Sequence, residues 1–110
     1  MADLYLADKA AFDAAIEATK NGGKALVIDF TASWCPPCQR IGPIYEGLAT
    51  EHAADVVLKK VDVDANSEAA QAAQIQAMPT FKVYKNGAEA ETMRGANEAG
   101  LRELVERAKA

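Results

Sequence analysis

The segment Trp34-Cys35-Pro36-Pro37-Cys38 holds both cysteines of the chain, and two thiols separated by two residues can close and reopen as a disulfide. In a helix, residues three apart share a face with Cβ atoms about 5 to 6 Å apart, close to the roughly 4.4 to 6.8 Å Cα separation that a disulfide tolerates. The segment follows an apolar run and precedes a helical pattern, which places Cys35 at the start of a helix. There its sulfur meets unpaired N–H groups and the positive end of the macrodipole, worth about 0.3 to 1 kcal/mol and up to ~2. At ~1.4 kcal/mol per pKa unit, this favours the thiolate, which is the attacking species. Cys35 is the candidate nucleophile, and Cys38, one turn inside, the candidate resolving thiol. Pro36 and Pro37 fit the first helical turn, where their missing N–H groups would be unpaired anyway.

The same spacing also suits a buried thiol pair or half of a zinc site. A second half needs further Cys or His at set spacing, and the only histidine, His52, lies beyond reach along the same helical segment. His52 reads as a surface residue near a helix end, and no metal is expected.

The chain has 110 residues, 50% of them hydrophobic, and no linker-like stretch, which suits one domain over residues 1–110. The net charge is −4 with a pI near 4.9, and the basic residues are scattered, which excludes a phosphate-backbone partner. No segment approaches the ~20 apolar residues of a membrane span. The start, Met1-Ala2-Asp3-Leu4-Tyr5-Leu6, lacks the basic and apolar regions of a secretory signal. Two cysteines in a reactive motif without a disulfide framework suit a reducing compartment, so the expected location is the cytoplasm.

Ala25–Phe30 and Val56–Val61 are β-rich apolar runs, and the first reads as a parallel strand buried on both faces. Apolar positions three or four apart mark helices over 8–20, 35–51, 67–74 and 98–109; Pro43 lies inside the second and is expected to kink it. The order begins β-α-β-α-β-α. Thr80–Tyr84 then alternates, Asn86-Gly87 signals a hairpin turn, Glu89–Met93 returns antiparallel, and a helix closes the chain. Parallel units followed by a hairpin imply a mixed sheet in an α/β fold, with helices on both faces.

From Asp29 through Cys38, with Pro43, Lys60-Val61-Asp62-Val63-Asp64, Met78-Pro79-Thr80, Asn86-Gly87 and Gly95, the chain resembles the thioredoxin family nearly end to end. The resemblance implies the thioredoxin fold, here expected as a central mixed five-stranded sheet flanked by four helices. It also implies protein-disulfide reductase activity on disulfide-containing protein substrates, with no bound cofactor. Electrons would come from NADPH through a thioredoxin reductase, and the working form would be a monomer. In the family pattern Asp29 is a buried acid, Lys60 its partner, and Pro79 a cis proline beside the disulfide. A glutaredoxin-like enzyme also uses Cys-Pro-x-Cys, but Pro37 and Trp34 argue against it. A binding module whose dithiol controls docking is a third reading.

Asp29 stands amid Leu26, Val27, Ile28 and Phe30, where a charge is costly to bury, so its pKa is expected to rise. Such a carboxyl can exchange a proton with Cys38 through water; a strand-end aspartate in solvent is the other reading. Strand alternation points Lys60 inward if Lys59 points outward, which suits both a partner of Asp29 and an ordinary snorkelling lysine. Trp34 reads as part of an exposed active-site surface, with simple core as the alternative. Proline bars ladder pairing at Met78-Pro79, and a cis bond there would leave an edge onto which a substrate peptide can add hydrogen bonds. Gly95 and Ala96 would flank that groove; a plain turn is the other reading of Gly95. The family's commonest motif has glycine at Pro36, and proline there removes one N–H that could face the Cys35 thiolate.

Overall fold

The apolar run that opens at Ala25 becomes β1 (Ala25–Thr31), in which Leu26, Val27, Ile28 and Phe30 are no more than 1% exposed. A strand apolar on both faces needs cover on both, and β1 lies inside the sheet. It runs parallel to β2 (Val56–Asp62) and antiparallel to β3 (Thr80–Lys85), and β4 (Ala88–Arg94) pairs with β3 at the edge. The strand order is β2-β1-β3-β4. Asn86 and Gly87 turn the hairpin with φ of 53° and 80°, the pair of positive values that a tight two-residue hairpin demands. The computed structural model describes residues 3–110; Met1 and Ala2, which entered the reading of the chain's start, lie outside the described residues.

Among the described residues four helices cover this sheet: α1 (Lys9–Glu17), α2 (Pro36–Glu51), α3 (Ser67–Ala72) and α4 (Glu98–Lys109). Because strand side chains alternate, β1 splits its residues between two cores. Val27 packs with Ile41, Tyr45 and Leu48 of α2 and Leu101, Leu104 and Val105 of α4. Leu26, Ile28 and Phe30 pack with Phe12 of α1 and Ala69 of α3. Odd positions of β1 therefore face α2, and Asp29 is one of them. Register places Lys60, Asp29, Phe81 and Met93 in one row across all four strands on that face.

Two expectations are corrected. Among the described residues the sheet has four strands, not five. The leading strand shrinks to one parallel bridge, Tyr5 with Lys60, made by Leu6 N–H donating to Lys60 O and Lys60 N–H to Leu4 O, each at 2.8 Å. The Tyr5 amide donates to the Asp3 carboxylate instead, and Asp8 already caps α1, so the chain leaves the sheet after one rung. His52 does sit at the end of α2 as its C-cap, but it is buried at 8% exposure, because α4 packs against α2. Its Nε2 lies 3.0 Å from Glu51 and 3.9 Å from Glu106. Helix α2 continues through Pro43 for its full sixteen residues.

Candidate functional site

Strand β1 ends at Thr31, and a short turn delivers Cys35 to the N-cap of α2, with Pro36 and Pro37 in the first two helical positions. Extended backbone at Cys35 (φ −99°, ψ 106°) turns its sulfur back over the helix start, where it accepts from Cys38 N–H at 3.3 Å. Neither proline has an N–H to offer, and the Gln39 amide donates to the Cys35 carbonyl. The Cys38 amide is thus the one first-turn donor directed at this sulfur. Cys35 and Cys38 form a disulfide with their Cα atoms 5.3 Å apart, inside the range such a bond tolerates.

Both cysteines are nearly covered, at 5% and 3% exposure, whereas Trp34 is 63% exposed. Its indole N–H donates to the Asp64 carboxylate at 2.7 Å, across from the loop after β2. Pro36 is exposed and Pro37 partly so. Gln39 steadies the turn by donating to the carbonyls of Ala32 and Ser33.

Met78 and Pro79 arrive from another direction, just before β3, joined by a cis peptide bond. The Met78 carbonyl oxygen lies 3.9 Å from Cys35 Sγ, so a main-chain acceptor stands beside the sulfur. Gly95, at φ 98°, donates its N–H to the Pro79 carbonyl at 2.9 Å; side-chain-bearing residues seldom adopt that backbone. Ala96 follows, exposed. Trp34, Cys35, Met78, Pro79 and Gly95 are linked by these contacts, although they come from three separate stretches of chain.

Asp29 is 1% exposed, and among the described residues its Oδ1 has no hydrogen-bond partner. Burial raises its pKa from 3.8 to about 7; Lys60 pulls it down and Glu46 pushes it up, both through space. Lys60 is buried at 5% exposure and is the register neighbour of Asp29, yet its ammonium donates to Glu46 at 2.6 Å. Lys60 therefore acts on Asp29 only through space, because Glu46 on α2 holds its ammonium. Tyr45, whose phenol burial holds well above its ordinary pKa, remains a donor and clasps the carbonyls of Val27 and Lys59.

Sequence reading missed Asp64, Gln39 and Glu46. Asp64 and Gln39 bond through geometry no local pattern announces. Glu46 carried one faint signal: it follows Gly42 by four residues, so a side chain and a gap share one face of α2. Among the described residues there is no cluster of three metal-ligating side chains, and no helix is long and apolar enough to cross a membrane.

The family model described as thioredoxin matches residues 4–107. The chain belongs to the thioredoxin family. It is 56% identical to the thioredoxin of Geodia cydonium over 106 residues, covering 96% of this chain and 97% of that one. It is 46% identical to the H-type thioredoxin of Chlamydomonas reinhardtii, covering 93% and 90%. The X-ray structure of Fasciola hepatica thioredoxin superposes with a TM-score of 0.87 at 45% identity, covering 94% and 96%. As a thioredoxin, the protein is a thiol-disulfide oxidoreductase that reduces protein disulfides by dithiol–disulfide exchange through Cys35 and Cys38.

Proposed function

We propose that Cys35 is the attacking sulfur of a WCPPC-type active site and Cys38 the resolving one. The Cys35 thiolate attacks one sulfur of a substrate disulfide, forming a mixed disulfide and releasing the other substrate sulfur as a thiolate. Cys38 then gives up its proton, attacks Cys35 Sγ and releases the second substrate thiolate. Two electrons pass to the substrate, and Cys35–Cys38 is left oxidised. The observation that carries this assignment is the Cys38 amide directed at Cys35 Sγ from the first turn of α2, a donor that stabilises a thiolate there.

Asp29 accepts the Cys38 proton in this reading, supported by its face of β1 and a pKa near 7, where proton transfer in both directions is efficient. Lys60 tunes that carboxyl. Trp34, Pro36, Pro37, Met78, Pro79, Gly95 and Ala96 form the substrate face. A substrate strand can lie beside Met78–Pro79, with main-chain hydrogen bonds supplying affinity and little side-chain selectivity. A thioredoxin reductase using NADPH returns the electrons, making the chain a monomeric single-domain electron carrier of the cytoplasm.

The test is insulin disulfide reduction driven by NADPH and a thioredoxin reductase, beside a glutathione-coupled assay, for wild type and Cys35→Ser. Reductase-driven turnover that vanishes in the variant is expected. Turnover only with glutathione would overturn the reductase assignment, and retained turnover in Cys35→Ser would overturn the nucleophile.

A further inference from the structure

Asp29 and Lys60 are register neighbours on β1 and β2, both nearly buried, yet the lysine bonds elsewhere and Asp29 Oδ1 is left without a partner. The path of the lysine explains how. A Cβ built at Gly42 would lie 3.9 Å from Lys60 Nζ, so the ammonium passes α2 where the helix carries no side chain and meets Glu46 one turn on, at 2.6 Å. On its outer side it stands 5.5 Å from the centre of the Tyr5 ring. A pocket of about 500 Å³ between the N-terminal segment and α2, lined by Tyr5, Thr50, Glu46 and Lys60 among others, opens this pair to solvent.

We infer that Glu46 is a positioning residue for proton transfer at Asp29: by holding the Lys60 ammonium toward the solvent-facing pocket, it leaves the Asp29 carboxyl without a cation at contact distance. The inference rests on the reading of Asp29 as the acceptor of the Cys38 proton. Glu46 acts twice in the same sense, by taking the cation and by adding a negative charge of its own. The other groups on this face offer no substitute. Tyr45 of α2 spends its proton on two carbonyls, and the β3 neighbour of Asp29 is Phe81. The buried side chains of α4 are Leu101, Leu104, Val105 and Ala108, and Tyr5 acts only through Lys60. Burial therefore governs Asp29, and the carboxyl stays protonated close to neutrality. A base of that kind takes the Cys38 proton during resolution and can return it when the disulfide is reduced again. A base locked in an ion pair would hold the proton too weakly for the return.

The rate of mixed-disulfide resolution should rise with pH as Asp29 ionises. Removing Glu46 frees Lys60 to turn back toward Asp29, and an opposite charge at close range favours the ionised carboxyl. The experiment is the pH profile of single-turnover resolution, together with a carbon-13 NMR titration of the Asp29 carboxyl, for wild type, Glu46→Gln, Lys60→Gln and Asp29→Asn. Glu46→Gln should move both midpoints down by about 1 pH unit. Lys60→Gln should move them up, and Asp29→Asn should lose the limb near pH 7, keeping only the later rise that Cys38's own ionisation gives. Glu46 is half-exposed, so its glutamine variant is expected to fold, and a merely structural defect would not shift the two variants in opposite directions. An unmoved midpoint in Glu46→Gln, with the limb absent in Asp29→Asn, would overturn the positioning role alone. A limb near pH 7 that persists in Asp29→Asn would overturn the reading of Asp29 beneath it.

Discussion

A carboxyl buried without a hydrogen bond works against the fold whenever it is charged, and at Asp29 the pH range of that penalty can be stated. Its folded pKa of about 7 lies above the unfolded value of about 3.9, so between those values the folded state binds more protons than the unfolded one. Stability is then full below about pH 4, declines as pH rises toward 7, and is flat above. A rise from 3.8 to about 7 corresponds to roughly 4 kcal/mol at ~1.4 kcal/mol per pKa unit. Asp29→Asn removes the ionisation but leaves a buried amide whose unmet hydrogen bonds cost about 1 to 3 kcal/mol. The expected result is a gain of about 2 kcal/mol at pH 8 and a flat stability profile from pH 4 to 7, read by urea unfolding. Disulfide reduction should slow at the same time. An unchanged reduction rate would remove Asp29 from the mechanism.

Helix α2 is where element-scale properties become redox properties. Its first turn points one N–H at Cys35 Sγ, from Cys38, because Pro36 and Pro37 occupy the first two positions and carry none. Pro36→Gly restores an amide that can turn toward the thiolate and so stabilises the dithiol form. One such bond worth about 1.4 kcal/mol raises the reduction potential by ~30 mV. Equilibration of the glycine variant against a glutathione redox buffer measures the shift, and an equal or lower potential would reverse the argument. This helix was plain in the sequence, since motif, prolines and apolar spacing all agreed over 35–51. The first strand was not. Leu4, Tyr5 and Leu6 are β-compatible, but the local Asp3 bond and the cap at Asp8 confine pairing to one rung, and pairing length is decided by neighbours distant in sequence. The partner of Lys60 was hidden for the same reason: strand alternation left it between Asp29 and solvent, and the carboxylate that holds it arrives from α2.

At the scale of the molecule, stability and chemistry are supplied by different places. Two apolar clusters, one on each face of the sheet, hold the fold, while the sulfurs sit in a small separate cluster with Ala32, Val63 and Met78, beside the exposed Trp34. Leu104 is 1% exposed within the α2–α4 cluster, and truncating such a leucine costs about 2 to 5 kcal/mol of a total that is only about 5 to 15 for a domain. Trp34, at 63% exposure, contributes one surface hydrogen bond, to Asp64, and its removal should change stability by no more than about 0.5 kcal/mol. The two variants should therefore fail in opposite ways. Leu104→Ala should unfold at markedly lower urea yet reduce insulin with normal kcat/KM per folded molecule. Trp34→Ala should unfold like wild type but lose kcat/KM about tenfold, near 1.4 kcal/mol, mainly through a higher KM, because an exposed indole beside the sulfur contributes docking area. If Trp34→Ala kept its KM and lost stability instead, the indole would belong to the scaffold, and the substrate face would have to be redrawn around Met78, Pro79 and Gly95.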